Sequence, residues 1–209
     1  MNPYFQQAVF RQSAAHAGTL PPEGGAEVAF AGRSNSGKSS TINRLCYQRG
    51  LARTSKTPGR TRLINFFSLP DGAQLVDLPG YGYAKVPDPV RREWQAFIEA
   101  YLGQRACLRG LVIIMDIRHP LTGHDRLLLD WASQRRLPVH VLLNKSDKLK
   151  RGPAANTLLQ VRRELNALPG EISVQTFSAD SGDGLETLWG QLEYWLGREA
   201  ETPDNPPVQ

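Results

Sequence analysis

The octapeptide Gly32-Arg33-Ser34-Asn35-Ser36-Gly37-Lys38-Ser39 constrains this chain more than any other feature. It satisfies G-x-x-x-x-G-K-[ST], in which glycines at both ends let backbone N–H groups turn inward around nucleotide α- and β-phosphates, while the lysine reaches the β- and γ-phosphates. Such a loop works only between a strand that ends beneath the phosphates and a helix whose N-terminus faces them. Both flanks are legible. Glu27-Val28-Ala29-Phe30-Ala31 is a short apolar strand, and Ser39-Ser40-Thr41-Ile42-Asn43-Arg44-Leu45 can begin a helix. Ser39 is the expected Mg²⁺ ligand. An accidental match in a Gly- and Ser-rich turn would lack that context.

Further elements follow in the order such a site needs. Asp77-Leu78-Pro79-Gly80 ends an apolar run, so a carboxylate at the strand's C-terminal edge can hold Mg²⁺ through water, and the Gly80 N–H can meet a γ-phosphate. Between the first helix and that strand, Thr57-Pro58-Gly59-Arg60-Thr61 stands where a switch segment closes over the metal. Thr61 is the expected second Mg²⁺ ligand with Thr57 as runner-up, and Gly59, Arg60, Arg62 and Leu63 are assigned to the nucleotide with it; a plain polar loop is the competing reading. Lys38, Thr61 and Gly80 form the expected catalytic set.

Asn144-Lys145-Ser146-Asp147 supplies base selection. The Asp147 carboxylate can accept the ring N–H and the exocyclic amine of guanine, a donor pair adenine lacks, while Asn144 can contact the base edge. A site built for those donors rejects ATP, since the carboxylate would be left unpaired. Phe177-Ser178-Ala179, after the last apolar run, can offer backbone N–H groups to the guanine carbonyl. Together the motifs imply a GTPase using GTP and Mg²⁺.

At 209 residues, 40% hydrophobic and 22% charged, the chain suits one domain with a substantial core. The expected division is an N-terminal extension over 1–22, a G domain over 23–197 and a disordered tail over 198–209. No run approaches the ~20 apolar residues of a membrane span, and Met1 to Gly18 lacks the apolar core of a signal peptide, so a cytoplasmic protein without membrane contact is expected. Cys46 and Cys107 have no metal-ligand or redox spacing and read as buried thiols. The net charge of +5, with pairs such as Arg91-Arg92, Arg135-Arg136 and Arg162-Arg163, suits a polyanionic partner; solvated helix faces account for it equally well. No heptad or large apolar stripe calls for a dimer, so a monomer is expected.

Leu63 to Leu69 and Ala73 to Leu78 flank Pro70-Asp71-Gly72 as a hairpin. Runs at Leu111–Asp116, Val139–Asn144 and Val174–Ala179 read as strands covered on both faces. Helical stripes recur at Trp94, Phe97, Ile98, Tyr101 and Leu102, and at Leu185, Leu188, Trp189, Leu192, Trp195 and Leu196, with further helices around Asp125–Gln134 and Ala154–Leu168. Alternating strands and helices predict an α/β fold, a mostly parallel sheet with one antiparallel strand and helices on both faces.

These residues, with Gly82-Tyr83-Ala84-Lys85 continuing from Tyr81, make the chain resemble the EngB GTPases, TRAFAC-class P-loop proteins, over roughly Phe5 to Leu196. The resemblance implies a six-stranded Ras-like G domain, GTP and Mg²⁺ binding, and action in assembly of the bacterial large ribosomal subunit, with loss linked to defective division and septation. Many members carry Thr-Lys-Ala-Asp where this chain has Asn144-Lys145-Ser146-Asp147. Tyr81 follows Gly80 where Ras-like GTPases place a water-orienting glutamine, which implies slow intrinsic hydrolysis stimulated by a partner or monovalent ion. Asn35 stands where related GTPases help bind K⁺; bracing of the loop is the alternative. Two other functions compete: a division-site module using GTP for regulation, and a P-loop small-molecule kinase, against which the guanine box argues.

Overall fold

The computed structural model describes residues 1–53, 63–81 and 88–198, with side chains throughout that set except at 88–95. Among the described residues seven strands form one sheet: β1 (Val9–Ala14), β2 (Glu27–Gly32), β3 (Ile64–Ser68), β4 (Gln74–Asp77), β5 (Leu108–Asp116), β6 (Val139–Asn144) and β7 (Ile172–Thr176). Their order is β1-β3-β4-β2-β5-β6-β7. Only β3 runs against its neighbours, pairing antiparallel with β1 and β4, while the remaining pairs are parallel.

The single antiparallel strand is as expected, but the sheet has seven strands where the family resemblance implied six. The added strand, β1, leaves little trace in the sequence because it is an edge: Val9 and Phe10 are 60% and 54% exposed, and polar Arg11, Gln12 and Ser13 follow. A register shift between Phe10 and Gln12 disrupts the ladder there, a common way of blunting an edge against further pairing. Ser13 Oγ donates to Asn65 Oδ1 at 2.6 Å, tying β1 to the hairpin.

Helices α1 (Lys38–Leu45), α2 (Asp88–Gln104), α3 (Gly123–Gln134), α4 (Arg151–Leu165) and α5 (Leu185–Trp195) cover the sheet. Because side chains alternate across a strand, Val28 and Phe30 of β2 and Val112 and Ile114 of β5 face α1 and α5, where Ile42, Leu45, Leu188 and Leu192 are buried. Ala29, Ala31, Leu111 and Ile113 face the opposite core with Tyr101, Leu102, Leu129 and Val161. The α5 stripe is buried as expected except that Leu196 is only partly covered, and Phe97 and Ile98 of the α2 stripe are partly buried; the side chain of Trp94 lies outside the described set. α3 and α4 begin two and three residues earlier than their patterns suggest, since the opening turns are polar.

One buried ion pair anchors α2. Glu27, fully buried on β2, accepts Arg105 Nε at 3.0 Å and Nη2 at 2.7 Å, and the Tyr101 hydroxyl at 2.9 Å. Both cysteines are free and buried, and burial pushes the Cys46 thiol up to about 12 and that of Cys107 up to about 11. Gly110 lies beneath the Trp195 indole, in space that a Cβ would need.

His140 sits in β6 with its ring nitrogens 2.7 Å from Ser173 Oγ and 2.8 Å from Gln175 Oε1 of β7. Burial lowers its pKa below the ordinary value of 6.5. The unfolded chain therefore binds this proton first as pH falls, so the stability linked to His140 is intact above pH 6.5 and declines below it. Replacement by Gln will flatten that acid-side decline, which urea melts between pH 5 and pH 7.5 will show.

Candidate functional site

β2 delivers Gly32 to the start of the loop and α1 leaves it at Lys38. Neither glycine is replaceable without rearrangement. A Cβ on Gly32 would sit 2.6 Å from Ser36 Oγ and 2.7 Å from the Ile114 carbonyl oxygen. Gly37, the residue before α1, has a left-handed φ of 97° and faces the Asn144 amide so closely that no Cβ fits. Asn35 is also left-handed at φ 65°, and Ser36 N–H donates to the Arg33 carbonyl at 3.0 Å, so the chain curls back on itself. The Ser36 hydroxyl is buried without a hydrogen-bond partner among the described residues. Gly37→Ala will weaken GDP binding at least about tenfold, because a non-glycine left-handed residue adds strain and displaces Asn144; titration with fluorescent GDP checks this.

Lys38 forms a largely buried ion pair with Asp77 at the end of β4. The Ser39 hydroxyl, in the first turn of α1, donates to the Arg53 carbonyl at 3.3 Å. Beyond Asp77 the chain stays beside the loop: Leu78 N–H donates to the Phe30 carbonyl at 3.0 Å, Tyr81 N–H to the Gly32 carbonyl at 3.3 Å, and Ser34 N–H to the Tyr81 carbonyl at 3.0 Å. Pro79 and Gly80 are thereby held against the loop, with Ser34 N 3.4 Å from where a Gly80 Cβ would stand.

The guanine box closes the other side. Asn144, 1% exposed at the end of β6, donates from Nδ2 to the Ser36 carbonyl at 2.8 Å and accepts Ala179 N–H on Oδ1 at 3.1 Å. Its side chain therefore rivets the phosphate loop to the 177–179 loop. That bracing role was invisible in the motif. Lys145, left-handed at φ 67°, reaches over the loop to the Asn35 carbonyl at 2.7 Å and to Asp116 Oδ2 at 2.9 Å. Ser146 N–H donates to the Phe177 carbonyl at 3.0 Å, and Ser178 Oγ donates to Asp147 Oδ1 at 2.6 Å. Lys148 pairs with the other Asp147 oxygen at 2.7 Å, and it and Ser178 hold that carboxyl below its ordinary range.

Three residues that the motifs did not single out shape the site. Asp116, at the C-terminal end of β5, takes Arg118 and Lys145, and they hold its carboxyl well below the usual carboxylate range. Its place at a parallel strand's carboxyl end, the same as that of Asp77, was the available signal. Arg44 of α1 grips the 179–180 turn through the carbonyls of Ala179, at 2.8 Å, and Asp180; nothing in the sequence marks it. Asp125 accepts the Tyr81 hydroxyl at 2.7 Å, and only its capping pattern with Thr122 was readable.

Gly32 to Ser39, Leu63, Asp77 to Gly80, Asn144 to Asp147 and Phe177 to Ala179 lie within the described residues; Thr57, Gly59, Arg60, Thr61, Arg62 and Gly82 to Lys85 lie outside them. The donor set suits a nucleotide phosphate with a hard cation: a cradle that Cβ atoms would fill, a lysine, a hydroxyl at a helix N-terminus and a carboxylate opposite. Among the described residues no group of three or more His, Cys, Asp or Glu side chains could hold a metal by itself, and His124 stacks on Tyr81 at 6.2 Å.

A doubly covered sheet with this loop, this acidic strand end and this base-selecting box defines a P-loop GTPase. The 50S ribosome-binding GTPase family matches residues 27–145. A protein of Aromatoleum aromaticum described as a probable GTP-binding protein EngB is 57% identical over 195 residues, spanning 93% of this chain and 90% of that one. The chain belongs to the EngB family of GTP-binding proteins. Among solved structures, one of a probable GTP-binding protein engB superposes with a TM-score of 0.66 at 23% identity, over 83% of this chain and all of the other. Era in complex with MgGDPNP and nucleotides 1506–1542 of 16S ribosomal RNA superposes with a TM-score of 0.61 at 25% identity, over 88% of this chain and 59% of Era.

Proposed function

We propose that this chain is a cytoplasmic GTP-driven switch acting in assembly of the bacterial large ribosomal subunit, with division and septation defects following from failed assembly. The observation that carries the switch is the Asn144 rivet: phosphate cradle and guanine box are one unit, and the Asp77–Tyr81 segment lies directly against it. Membership of a ribosome-binding GTPase family and the chain's positive charge support the ribosomal partner.

In this reading the backbone from Gly32 through Arg33, Ser34, Asn35, Ser36 and Gly37 cradles the α- and β-phosphates. Lys38 leaves Asp77 for the β- and γ-phosphates. Ser39, Thr61 and Asp77 are the residues that would hold Mg²⁺, and the metal would supply charge neutralisation to the nucleotide phosphates. The Gly80 N–H meets the γ-phosphate, with Leu78 and Pro79 positioning it. Gly59, Arg60, Arg62 and Leu63 are assigned to nucleotide binding with Thr61. Asp147 accepts the guanine N–H pair, Asn144, Lys145 and Ser146 flank the ring, and Phe177, Ser178 and Ala179 present backbone to its carbonyl. The Tyr81 hydroxyl is engaged with Asp125, which supports slow intrinsic hydrolysis. K⁺ held near Asn35 is part of the same proposal, and equal turnover in KCl and NaCl at matched ionic strength would remove it.

The test is pelleting with large-subunit particles in GDP and in a non-hydrolysable GTP analogue. Preferential pelleting with the analogue is expected; pelleting insensitive to nucleotide sinks the gating, and recovery with division proteins in place of particles favours the division-site module.

A further inference from the structure

We propose that Asp125 is a positioning residue for the γ-phosphate site: acting through the Tyr81 phenol, it holds Gly80 against the phosphate loop. The inference rests on the reading of Gly80 as a γ-phosphate contact. Tyr81 is fastened at two ends. Its backbone exchanges hydrogen bonds with the loop, donating to the Gly32 carbonyl at 3.3 Å and accepting from Ser34 N–H at 3.0 Å. Its side chain donates to Asp125 Oδ1 at 2.7 Å and stacks on His124.

The far end of that tether is rigid. Asp125 is 1% exposed, and its second oxygen accepts Thr122 N–H at 2.8 Å and Thr122 Oγ1 at 2.7 Å, which caps α3. α3 in turn buries Leu129 and Ala132 in the core shared with β5 and β6. A phenol donating to a buried carboxylate is among the stronger neutral-donor hydrogen bonds. Gly80 is one peptide upstream of this fixed point and, as glycine, has no side chain to hold it in place. The position that Ras-like enzymes give to a water-orienting glutamine here carries a tether, through which Asp125 acts by placing the Gly80 N–H.

The test compares Kd for GDP and for a non-hydrolysable GTP analogue, with single-turnover hydrolysis, in wild type, Tyr81→Phe, Asp125→Asn and Thr122→Ala. Loss of one hydrogen bond to a charged acceptor corresponds to about a tenfold change. Tyr81→Phe is therefore expected to raise the analogue Kd about tenfold and slow hydrolysis, with GDP affinity unchanged. Asp125→Asn, which keeps an acceptor but removes its charge, is expected to move the same ratio less. Thr122→Ala removes one of the two hydrogen bonds to the second Asp125 oxygen and keeps the Tyr81 bond, so it should lower Tm and shift the ratio much less than Tyr81→Phe does. Equal weakening of both nucleotides in Tyr81→Phe, no change in either, or an equal shift of the ratio in Thr122→Ala would each overturn the tether. Failure of the wild type to bind either guanine nucleotide would instead overturn the site reading, and the inference with it.

Discussion

Asp147→Asn will lower affinity for GDP by about 10² or more and raise affinity for XDP, since two charge-assisted hydrogen bonds of about 1.5–3 kcal/mol each are exchanged for a mismatched amide. The proposed guanine contact rests on a carboxylate that Lys148 Nζ and Ser178 Oγ orient and hold ionised. It keeps a side-chain exposure of 20%, enough to face a base. An ionised carboxylate accepts the two N–H groups on one edge of guanine, whereas an amide in that place offers N–H to the C2 carbonyl of xanthine. Because the carboxyl pKa is depressed below the ordinary 3.8, guanine affinity will be flat across pH 5 to 8 as far as this residue decides it. Fluorescent GDP titrations with XDP and ADP as competitors check both statements. Equal competition by ADP in the wild type would overturn guanine selectivity and revive the kinase reading.

Arg105→Ala will destabilise the fold by about 3–5 kcal/mol, which lowers Tm by about 6–20 °C for a domain of this size. The magnitude follows from what remains: Glu27 would stay fully buried on β2 with only neutral groups such as the Tyr101 hydroxyl and the Cys107 thiol beside it among the described residues, an uncompensated charge inside the sheet-facing core. Replacing Glu27 and Arg105 together by Leu will recover most of the loss, because the pair must outweigh its own desolvation whereas apolar side chains need not. Urea melts of the single and double variants measure this. Glu27 and Arg105 lie at the opposite end of β2 from Gly32, so GDP affinity at temperatures below the transition should be unchanged. A small effect for Arg105→Ala would mean that water reaches Glu27 once the guanidinium is gone.

Much of the placement of the candidate site could be read from residue order. The phosphate loop, Asp77–Gly80, Asn144–Asp147 and Phe177–Ala179 each follow an apolar run, and parallel strands bring their carboxyl ends to one edge. β2, β5 and β6 were legible because burial on both faces demands mostly apolar runs, Val28 to Ala31, Leu111 to Met115 and, broken only by His140, Val139 to Leu143. β1 was not, because an edge strand with one solvated side needs no such run, and its partners on β3 lie fifty or more residues away in the chain.

The sequence by itself determined the chemistry: local motifs whose backbone geometry and charge are set within eight residues or fewer, and the alternation that stacks strands between helices. Tertiary structure alone decided how those motifs are held. Asn144 became the rivet between two loops, Arg44 the clamp on the 179–180 turn, Asp116 the partner of Lys145, and Asp125 the anchor of Tyr81. Each is a hydrogen bond between residues 29 to 136 positions apart. No period or spacing encodes such a contact, because it exists only once the sheet has set the separation and direction of both side chains.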